Sequence, residues 1–313
     1  MNVIENKIEL SKHLKFKIMK KILYFPMFIL LMGSSIFFTQ CTSTNNGPAT
    51  STSLIKLAKS STLGNYLTDK NGYALYFFSN DVNGTNNCTG GCTAIWPVFN
   101  LDGLTQTQLD TGLALSDFSS IATTTGSQLT YKGWPLYTYA PSGVQEATGQ
   151  TTGNGVGGIW FVAKPDYTIM LANNQLVGLD GNNYIVTTPY VTTLGTGKTI
   201  FFTDQKGRTL YSFAKDSSLV NKFTKPDFSN NAIWPIYVTS KVVIPSTLDK
   251  SLFDSITVYN QKQLTYKGWP VYYFGSDVDT AGKYRGNTKG VSVPVTLNIW
   301  KVFISGVPAA PTK

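Results

Sequence analysis

The sequence has few of the side chains that most enzymes use for proton transfer. Its single histidine is His13, and its three glutamates are Glu5, Glu9 and Glu146. It also lacks the Gly-x-Ser-x-Gly pattern of serine hydrolases, so no Ser-His or Cys-His pair can be assembled after His13. Two aspartates could form a glycosidase pair, but no spacing in the sequence singles out such a pair. We therefore expect a protein that is not an enzyme and needs no cofactor.

Charged residues are also scarce, at 14% of the chain, and the formal net charge is +9. The first 40 residues hold six Lys and two Glu, a charge of +4, which leaves +5 for the rest. The remaining Lys and Arg are scattered singly, so we expect no nucleic-acid partner. The scarcity of Glu argues against long helices with salt-bridged faces. The 28 Gly, 17 Tyr and 18 Phe are typical of a β-rich extracellular protein.

The N-terminal region predicts a bacterial lipoprotein signal peptide over residues 1–40. Lys20 and Lys21 precede an apolar run that ends at Cys41, and Met19 is a second candidate start. We expect Cys41 to be lipidated and residues 41–53 to form a flexible polar linker. The alternative is an uncleaved anchor helix. No Asp follows Cys41 directly, which favours the outer membrane over the inner membrane of the cell envelope.

The sequence repeats itself with an offset of 135 residues. Residues 68–78 recur as 203–213, and residues 129–135 recur as 264–270. Each unit contains a weaker repeat, so the chain has four quarter-repeats with a Tyr-x-aromatic motif, three of them followed by an Asp and all by an Ile-Trp pair. The motif residues are Tyr76, Phe78, Asp81 and Trp96; Tyr137, Tyr139 and Trp160; Tyr211, Phe213, Asp216 and Trp234; and Tyr272, Phe274, Asp277 and Trp300.

This pattern predicts an all-β protein. Tight turns between alternating aromatic runs are typical of antiparallel hairpins. We expect two tandem similar domains, sandwich- or barrel-like, over residues 54–166 and 190–306, with a connector over 167–189 and a tail over 307–313. The alternative is one closed structure of four quarter-repeats, such as a four-bladed propeller.

These motifs resemble a family of bacterial secreted repeat lipoproteins, the secreted repeat of unknown function. The family is marked by Tyr-x-[Phe/Trp/Tyr]-x-x-Asp, by a Cys-containing segment that leads to Trp-Pro, and by Thr-Tyr-x-Gly-x-Pro-Leu-Tyr. This chain departs from it where Ser142 replaces the Asp of the second quarter-repeat and where the second unit lacks both cysteines. The resemblance implies an exported location and a repeat architecture. It implies no activity.

Cys88 and Cys92 are the only cysteines after Cys41. Counted back from Trp234, their counterparts in the second unit are Pro226 and Asn230. A pair of cysteines in an exported protein is by default a disulfide. The alternative is a redox or copper-binding site, for which two thiolates without His or Met form an incomplete set of ligands.

The motif aspartates raise the question of calcium. Asp81 and Asp277 begin oxygen-rich loops, and Asp279 adds a carboxylate to the second of these. The simpler interpretation is that each motif Asp accepts hydrogen bonds from the backbone of its own loop. We favour that interpretation and expect no metal.

The aromatic residues could form a platform for sugar rings, but four of the six Trp recur at the same repeat position. A β-repeat needs one large apolar side chain per strand in its core, so we expect these four to be buried. Trp134 and Trp269 each follow a Lys-Gly turn, and we expect both to be exposed.

Two hypotheses for the function follow. The first is a lipid-anchored, non-catalytic binding or scaffold module of the cell envelope. Its ligand is unknown, and a glycan and an envelope protein are the candidates. The second is a redox or copper-handling envelope protein that acts through Cys88 and Cys92.

Cys41→Ser should abolish lipidation and membrane retention without changing the fold, because the repeats begin only after the linker. Labelling with a palmitate analogue, followed by membrane fractionation of both forms, checks this. If the wild type takes up no label and the variant stays in the membrane, the apolar run is an uncleaved anchor.

Overall fold

The computed structural model describes residues 53–294 and 298–313; the predicted signal peptide, Cys41 and most of the linker lie outside them. The first half contains seven strands, with an α-helical turn at Cys92–Ile95. They are β1 (Ile55–Ser60), β2 (Gly64–Asp69), β3 (Tyr76–Phe78), β4 (Phe118–Thr123), β5 (Gly126–Tyr131), β6 (Trp134–Pro135) and β7 (Trp160–Val162).

Nine strands follow. They are β8 (Met170–Val177), β9 (Asn183–Thr187), β10 (Val191–Leu194), β11 (Lys198–Thr203), β12 (Tyr211–Phe213), β13 (Phe253–Val258), β14 (Gln261–Tyr266), β15 (Trp269–Pro270) and β16 (Trp300–Val302). Short 3₁₀ turns connect many of them. No helical turn in the described ranges is long and apolar enough to cross a membrane.

The two halves repeat the same small antiparallel sheets. The sheet β4-β5-β6 of the first half corresponds to β13-β14-β15 of the second, and the pair β3-β7 corresponds to β12-β16. Strand β13 begins 135 residues after β4, and β14 begins 135 residues after β5, which is the offset predicted from the sequence. The protein is therefore all-β and duplicated, as predicted, and the sheets of the described residues do not close into a barrel.

The Lys-Gly turns set the register of the β5-β6 and β14-β15 hairpins. Lys132 and Gly133 both have positive φ, at 49° and 78°, and Lys267 and Gly268 have 49° and 83°. Positive φ at both central residues gives a two-residue turn whose twist matches that of the strands. The identical sequence of the two turns thus produces the same hairpin twice.

The connector is part of the sheet structure of the second half. Its strand β8 pairs with β11 along six residues, from Met170 opposite Thr203 to Gln175 opposite Lys198. The largest apolar core contains Phe77 and Phe161 of the first half together with Phe201 and Tyr211 of the second. Residues Thr50–Lys313 form one compact unit. That each half folds independently, with the boundaries given above, stays a prediction.

Trp134 lies in the contact between the halves, and the expectation that it is exposed is wrong. Its side chain is 2% exposed. The Arg285 guanidinium lies 4.9 Å from the ring, and the indole Nε1 donates to the Gln205 carbonyl at 3.0 Å. The Lys-Gly turn does not leave the indole in solvent, because Gln205 and Arg285 of the second half cover it. Trp269 is half-buried.

Arg285 joins the two halves through main-chain carbonyls. Its Nη1 donates to Lys132 O at 2.8 Å and to Lys206 O at 2.6 Å. Gly133 has a φ of 78°, which favours glycine, and a Cβ there would lie 2.8 Å from Nη1, so a larger residue would displace the guanidinium. Burial lowers the pKa of Arg285 to about 10.

Arg285→Ala should lower the free energy of unfolding by about 1–3 kcal/mol, because two carbonyls lose their charged donor and the Trp134 ring loses its cover. Urea unfolding measures the change. The matched control is Lys262→Ala at an exposed position of β14, where we expect less than about 0.5 kcal/mol. Equal effects of the two substitutions would contradict a role of Arg285 in holding the halves together.

Candidate functional site

The motif tyrosines of the two quarter-repeats meet at the centre of each half. Tyr76 N donates to Tyr137 O, and Tyr137 N donates to Tyr76 O, both at 2.9 Å. Tyr211 and Tyr272 form the same reciprocal pair at 2.8 and 2.9 Å. The two quarter-repeats of a half are thus paired across a local twofold arrangement.

The hydroxyls of these tyrosines extend to acids of the opposite quarter-repeat. Tyr137 Oη donates to Asp81 Oδ2 at 2.5 Å. In the second half, Tyr272 Oη donates to Asp216 Oδ2 at 2.8 Å, and Tyr211 Oη donates to Asp277 Oδ2 at 2.8 Å. Each motif Asp therefore serves the tyrosine of the other quarter-repeat and not its own.

Glu146 replaces the aspartate that the second quarter-repeat lacks. Tyr76 Oη donates to Glu146 Oε1 at 2.5 Å, and Glu146 Oε2 accepts from the amide and the hydroxyl of Thr152, both at 2.9 Å. The Glu146 side chain is buried. The motif pattern missed this residue, because Glu146 lies four positions beyond Ser142. The available signal was that Glu146 is the only glutamate after Glu9.

The remaining oxygen of each motif Asp fixes a loop. Asp81 Oδ1 accepts from Asn87 N at 2.7 Å, and Asp216 Oδ1 accepts from Lys222 N at 2.7 Å, in each case six residues on. Asp277 Oδ1 accepts from Lys289 N at 2.8 Å. A carboxylate with both oxygens engaged at a strand end orders the loop that follows.

The same geometry bears on the calcium candidates. Asp81 and Asp277 use both oxygens for protein donors, and Asp279 Oδ1 accepts from the amides of Ala281 and Lys283 at 2.9 and 2.7 Å. Within residues 53–294 and 298–313, no three His, Cys, Asp or Glu side chains converge in a way that could hold a metal ion.

Burial is the main cause of the pKa shifts of the three motif aspartates. It raises the pKa of Asp81 to about 6, although the Tyr137 hydroxyl and the Asn87 amide partly oppose the rise. It raises the pKa of Asp216 and of Asp277 to about 7. Burial, together with the neighbouring acid, also raises the pKa of Tyr137, Tyr211 and Tyr272 well above the ordinary value. The hydroxyls therefore remain donors at neutral pH.

The four repeated tryptophans form two stacked pairs inside the protein. The Trp96 and Trp160 rings are 3.8 Å apart with planes 2° from parallel, and the Trp234 and Trp300 rings are 3.6 Å apart at 5°. Each pair comes from the two quarter-repeats of one half and is extended at both ends by the aromatic residues of the Tyr-x-aromatic motif. These are Phe78 and Tyr139 in the first half, and Phe213 and Phe274 in the second. All four tryptophans are buried, so they are core residues and offer no platform to a sugar.

Glycines allow close approach to these stacks. A Cβ on Gly153 would lie 2.8 Å from Trp96 Cη2, and a Cβ on Gly290 would lie 2.8 Å from Trp234 Cη2. In both halves, a glycine thus allows the backbone to pack directly against a stacked tryptophan.

Cys88 and Cys92 form a disulfide in the loop after Asp81. Hydrogen bonds identify the counterpart of Cys88 in the second half: Cys88 N donates to Asn86 Oδ1, and Phe223 N donates to Asn221 Oδ1, both at 2.9 Å. Phe223, and not Pro226, therefore takes the place of Cys88, because the loop of the second half is longer.

Asn230 is the counterpart of Cys92, as the count from Trp234 predicted. Trp96 N donates to Cys92 O, and Trp234 N donates to Asn230 O. The Asn230 side-chain Nδ2 donates to Phe223 O at 2.6 Å. A hydrogen bond thus closes the loop of the second half between the same two positions that the disulfide joins in the first.

A groove of about 650 Å³ runs beside the disulfide loop. It lies between this loop and the β4–β5 turn. Its lining contains no charged side chain and consists of Gly84, Thr85, Asn86, Cys88, Thr89, Gly90, Thr93, Val98, Ile121, Ala122, Thr123, Thr124 and Thr125. Six of these thirteen residues are threonines.

Comparison with known proteins identifies the repeat. Residues 58–100 and 119–164 match the family model of the secreted repeat of unknown function. Each match falls on one quarter-repeat of the first half, and together they confirm the resemblance. No curated protein and no solved structure matches the chain significantly.

The buried acids predict a specific dependence of stability on pH. Because the pKa of Asp216 is about 7 in the folded protein and about 4 in an unfolded chain, the folded state binds more protons between these values. The resulting stabilisation is complete below about pH 4 and is lost as the pH rises through about 7.

Asp216→Asn should reduce this loss, so that the free energy of unfolding falls less between pH 4 and 7.5 than in the wild type. Urea unfolding at a series of pH values measures both curves. The control Asp102→Asn, at an exposed position, should keep the wild-type slope. An Asp216→Asn curve parallel to that of the wild type would contradict a raised pKa.

Proposed function

We propose that the protein is a lipid-anchored module of the cell envelope that binds a ligand without catalysing a reaction. One observation carries the proposal: the hydroxyls and carboxyls of the repeat motif are buried and bonded to one another. A catalytic acid or base has to reach a substrate proton. The motif acids already accept hydrogen bonds from tyrosines and loop amides. They therefore stabilise the fold, and we place ligand binding on surface residues.

The lipid anchor rests on the sequence. Lys20, Lys21, the apolar run and Cys41 form the pattern of an export signal followed by a lipidation site. Diacylglycerol together with an N-acyl chain is sufficient for stable membrane attachment. The match to a secreted repeat family supports an extracytoplasmic location, and we propose the outer membrane.

The groove beside the disulfide loop is our candidate for the ligand site. Its threonine hydroxyls and the Asn86 side chain can donate and accept hydrogen bonds, while Val98 and Ile121 provide apolar contact. An uncharged, hydroxyl-rich lining suits a neutral polar ligand such as a glycan. An envelope protein is the alternative ligand.

The rival hypothesis of redox or copper chemistry depends on the two cysteines having more than a structural role. The side chain of Asn230 closes the equivalent loop without sulfur. This substitution supports a structural disulfide, which would contribute about 2 kcal/mol for so short a loop.

The test is a glycan array and an envelope-protein pull-down with the compact unit Thr50–Lys313. We expect binding that Ala122→Arg in the groove wall abolishes. The matched control is Thr257→Arg, at the equivalent exposed position of β13, which should bind normally. Binding that survives Ala122→Arg would place the ligand elsewhere.

Thiol alkylation and mass spectrometry of the mature protein test the rival hypothesis. An intact Cys88–Cys92 bridge that does not exchange with added thiols supports the binding module. Free thiols that co-purify with copper would favour metal handling and overturn the structural role.

A further inference from the structure

The first half uses the turn before Trp134 as an interface. Trp134 Nε1 donates to Gln205 O at 3.0 Å, and Lys132 O accepts from Arg285 Nη1 at 2.8 Å. Gln205 and Arg285 both belong to the second half. The second half therefore provides the hydrogen-bond partners of the Trp134 indole and of Lys132 O, and it covers the indole.

In the second half, the segment 305–313 makes the corresponding bonds. Trp269 Nε1 donates to Pro308 O at 2.9 Å, and Lys267 O accepts from Ala310 N at 2.9 Å. Val307 and Ala310 of the segment are buried. Pro308 and Ala310 of this segment thus take, on the second half, the place that Gln205 and Arg285 take on the first.

The turn that would complete such an interface lies at the other end of the repeat array. Gln205 belongs to a turn in which Asp204 Oδ1 accepts from the amides of Lys206 and Arg208. Asp69 Oδ1 accepts in the same way from Asn71 and Tyr73, both at 2.9 Å. Lys70, the counterpart of Gln205, is exposed.

We propose that the segment 305–313 is a cap that prevents head-to-tail association of copies of this chain. When the cap is lifted, the Trp269 indole and Lys267 O are free to receive the 69–72 turn of a second copy. Such a contact is heterologous and leaves an unused surface on each copy, so further copies add until a ring closes or an open array forms. Repeat proteins need terminal caps for this reason. The inference does not depend on the ligand proposed above.

One residue makes the contact between copies weaker than the contact within the chain. Gly286 N donates to Gly207 O, and Gly149 N donates to Gly72 O. This equivalence makes Thr148 the counterpart of Arg285. The turn of a second copy therefore lacks the guanidinium that bonds to Lys132 O inside the chain, and Thr148→Arg would supply it.

The experiment is sedimentation velocity of Thr50–Lys313 and its variants over a range of concentrations. Deletion of residues 307–313 removes the part of the cap that contains Pro308 and Ala310. Ala310 packs closely on Gly268, because a Cβ on Gly268 would lie only 3.3 Å from the Ala310 Cβ. Ala310→Arg therefore displaces only the outer part of the cap. We expect the average mass of both variants to rise with concentration to about twofold or more. Ala309→Arg, at an exposed position of the same segment, should remain at the mass of one chain.

Thr148→Arg should increase the association of the uncapped variants and leave the capped chain unchanged. Trp269→Phe should reduce it, because an aromatic ring remains at this position but the N–H donor is lost. Near-UV circular dichroism establishes that each variant is folded. Folded uncapped variants with the mass of one chain at every concentration would overturn the proposal, as would association that Trp269→Phe does not reduce.

Discussion

The structure of each half depends on placing a carboxyl group in its interior beside a tyrosine hydroxyl. Burial of a carboxylate is costly unless hydrogen bonds compensate for its lost hydration. Here the compensation comes from the tyrosine of the opposite quarter-repeat and from a loop amide. Neither quarter-repeat can satisfy its own motif alone, so the repeats have to pair. The reciprocal bonds between the motif tyrosines and the stacked tryptophans lie where this pairing puts them.

The same pairing explains which substitutions the repeats tolerate. The acid can change from Asp to Glu146 and move four positions, because only its carboxyl group has to reach Tyr76 Oη. The loop closure can change from a disulfide to the Asn230 side chain, because only the distance between two chain segments has to be kept. The carboxyl group is thus kept while its position in the chain varies, and the loop closure is kept while its chemistry varies. The uncharged groove next to Cys88 lies outside these bonded residues.

Much of the fold could be predicted from the sequence because its determinants are local and repeated. The Lys-Gly turns, the strands beside them and the buried Trp96, Trp160, Trp234 and Trp300 follow from short motifs. The crossing of Tyr and Asp between quarter-repeats could not be predicted, since it depends on how two segments pair in space. The burial of Trp134 was missed for a similar reason: the Arg285 that covers it lies in the other half of the chain. The count from Trp234 misplaced the counterpart of Cys88 because the loop lengths differ, and only the hydrogen bonds of Asn86 and Asn221 corrected it.

The central claim is that motif tyrosines and acids of different quarter-repeats are energetically coupled. A double-mutant cycle of Tyr76→Phe and Glu146→Ala, followed by urea unfolding at pH 7, tests it at the pair that the motif did not reveal. The account predicts a coupling free energy of about 1–3 kcal/mol between the two substitutions. Additive effects, with a coupling below about 0.5 kcal/mol, would contradict it.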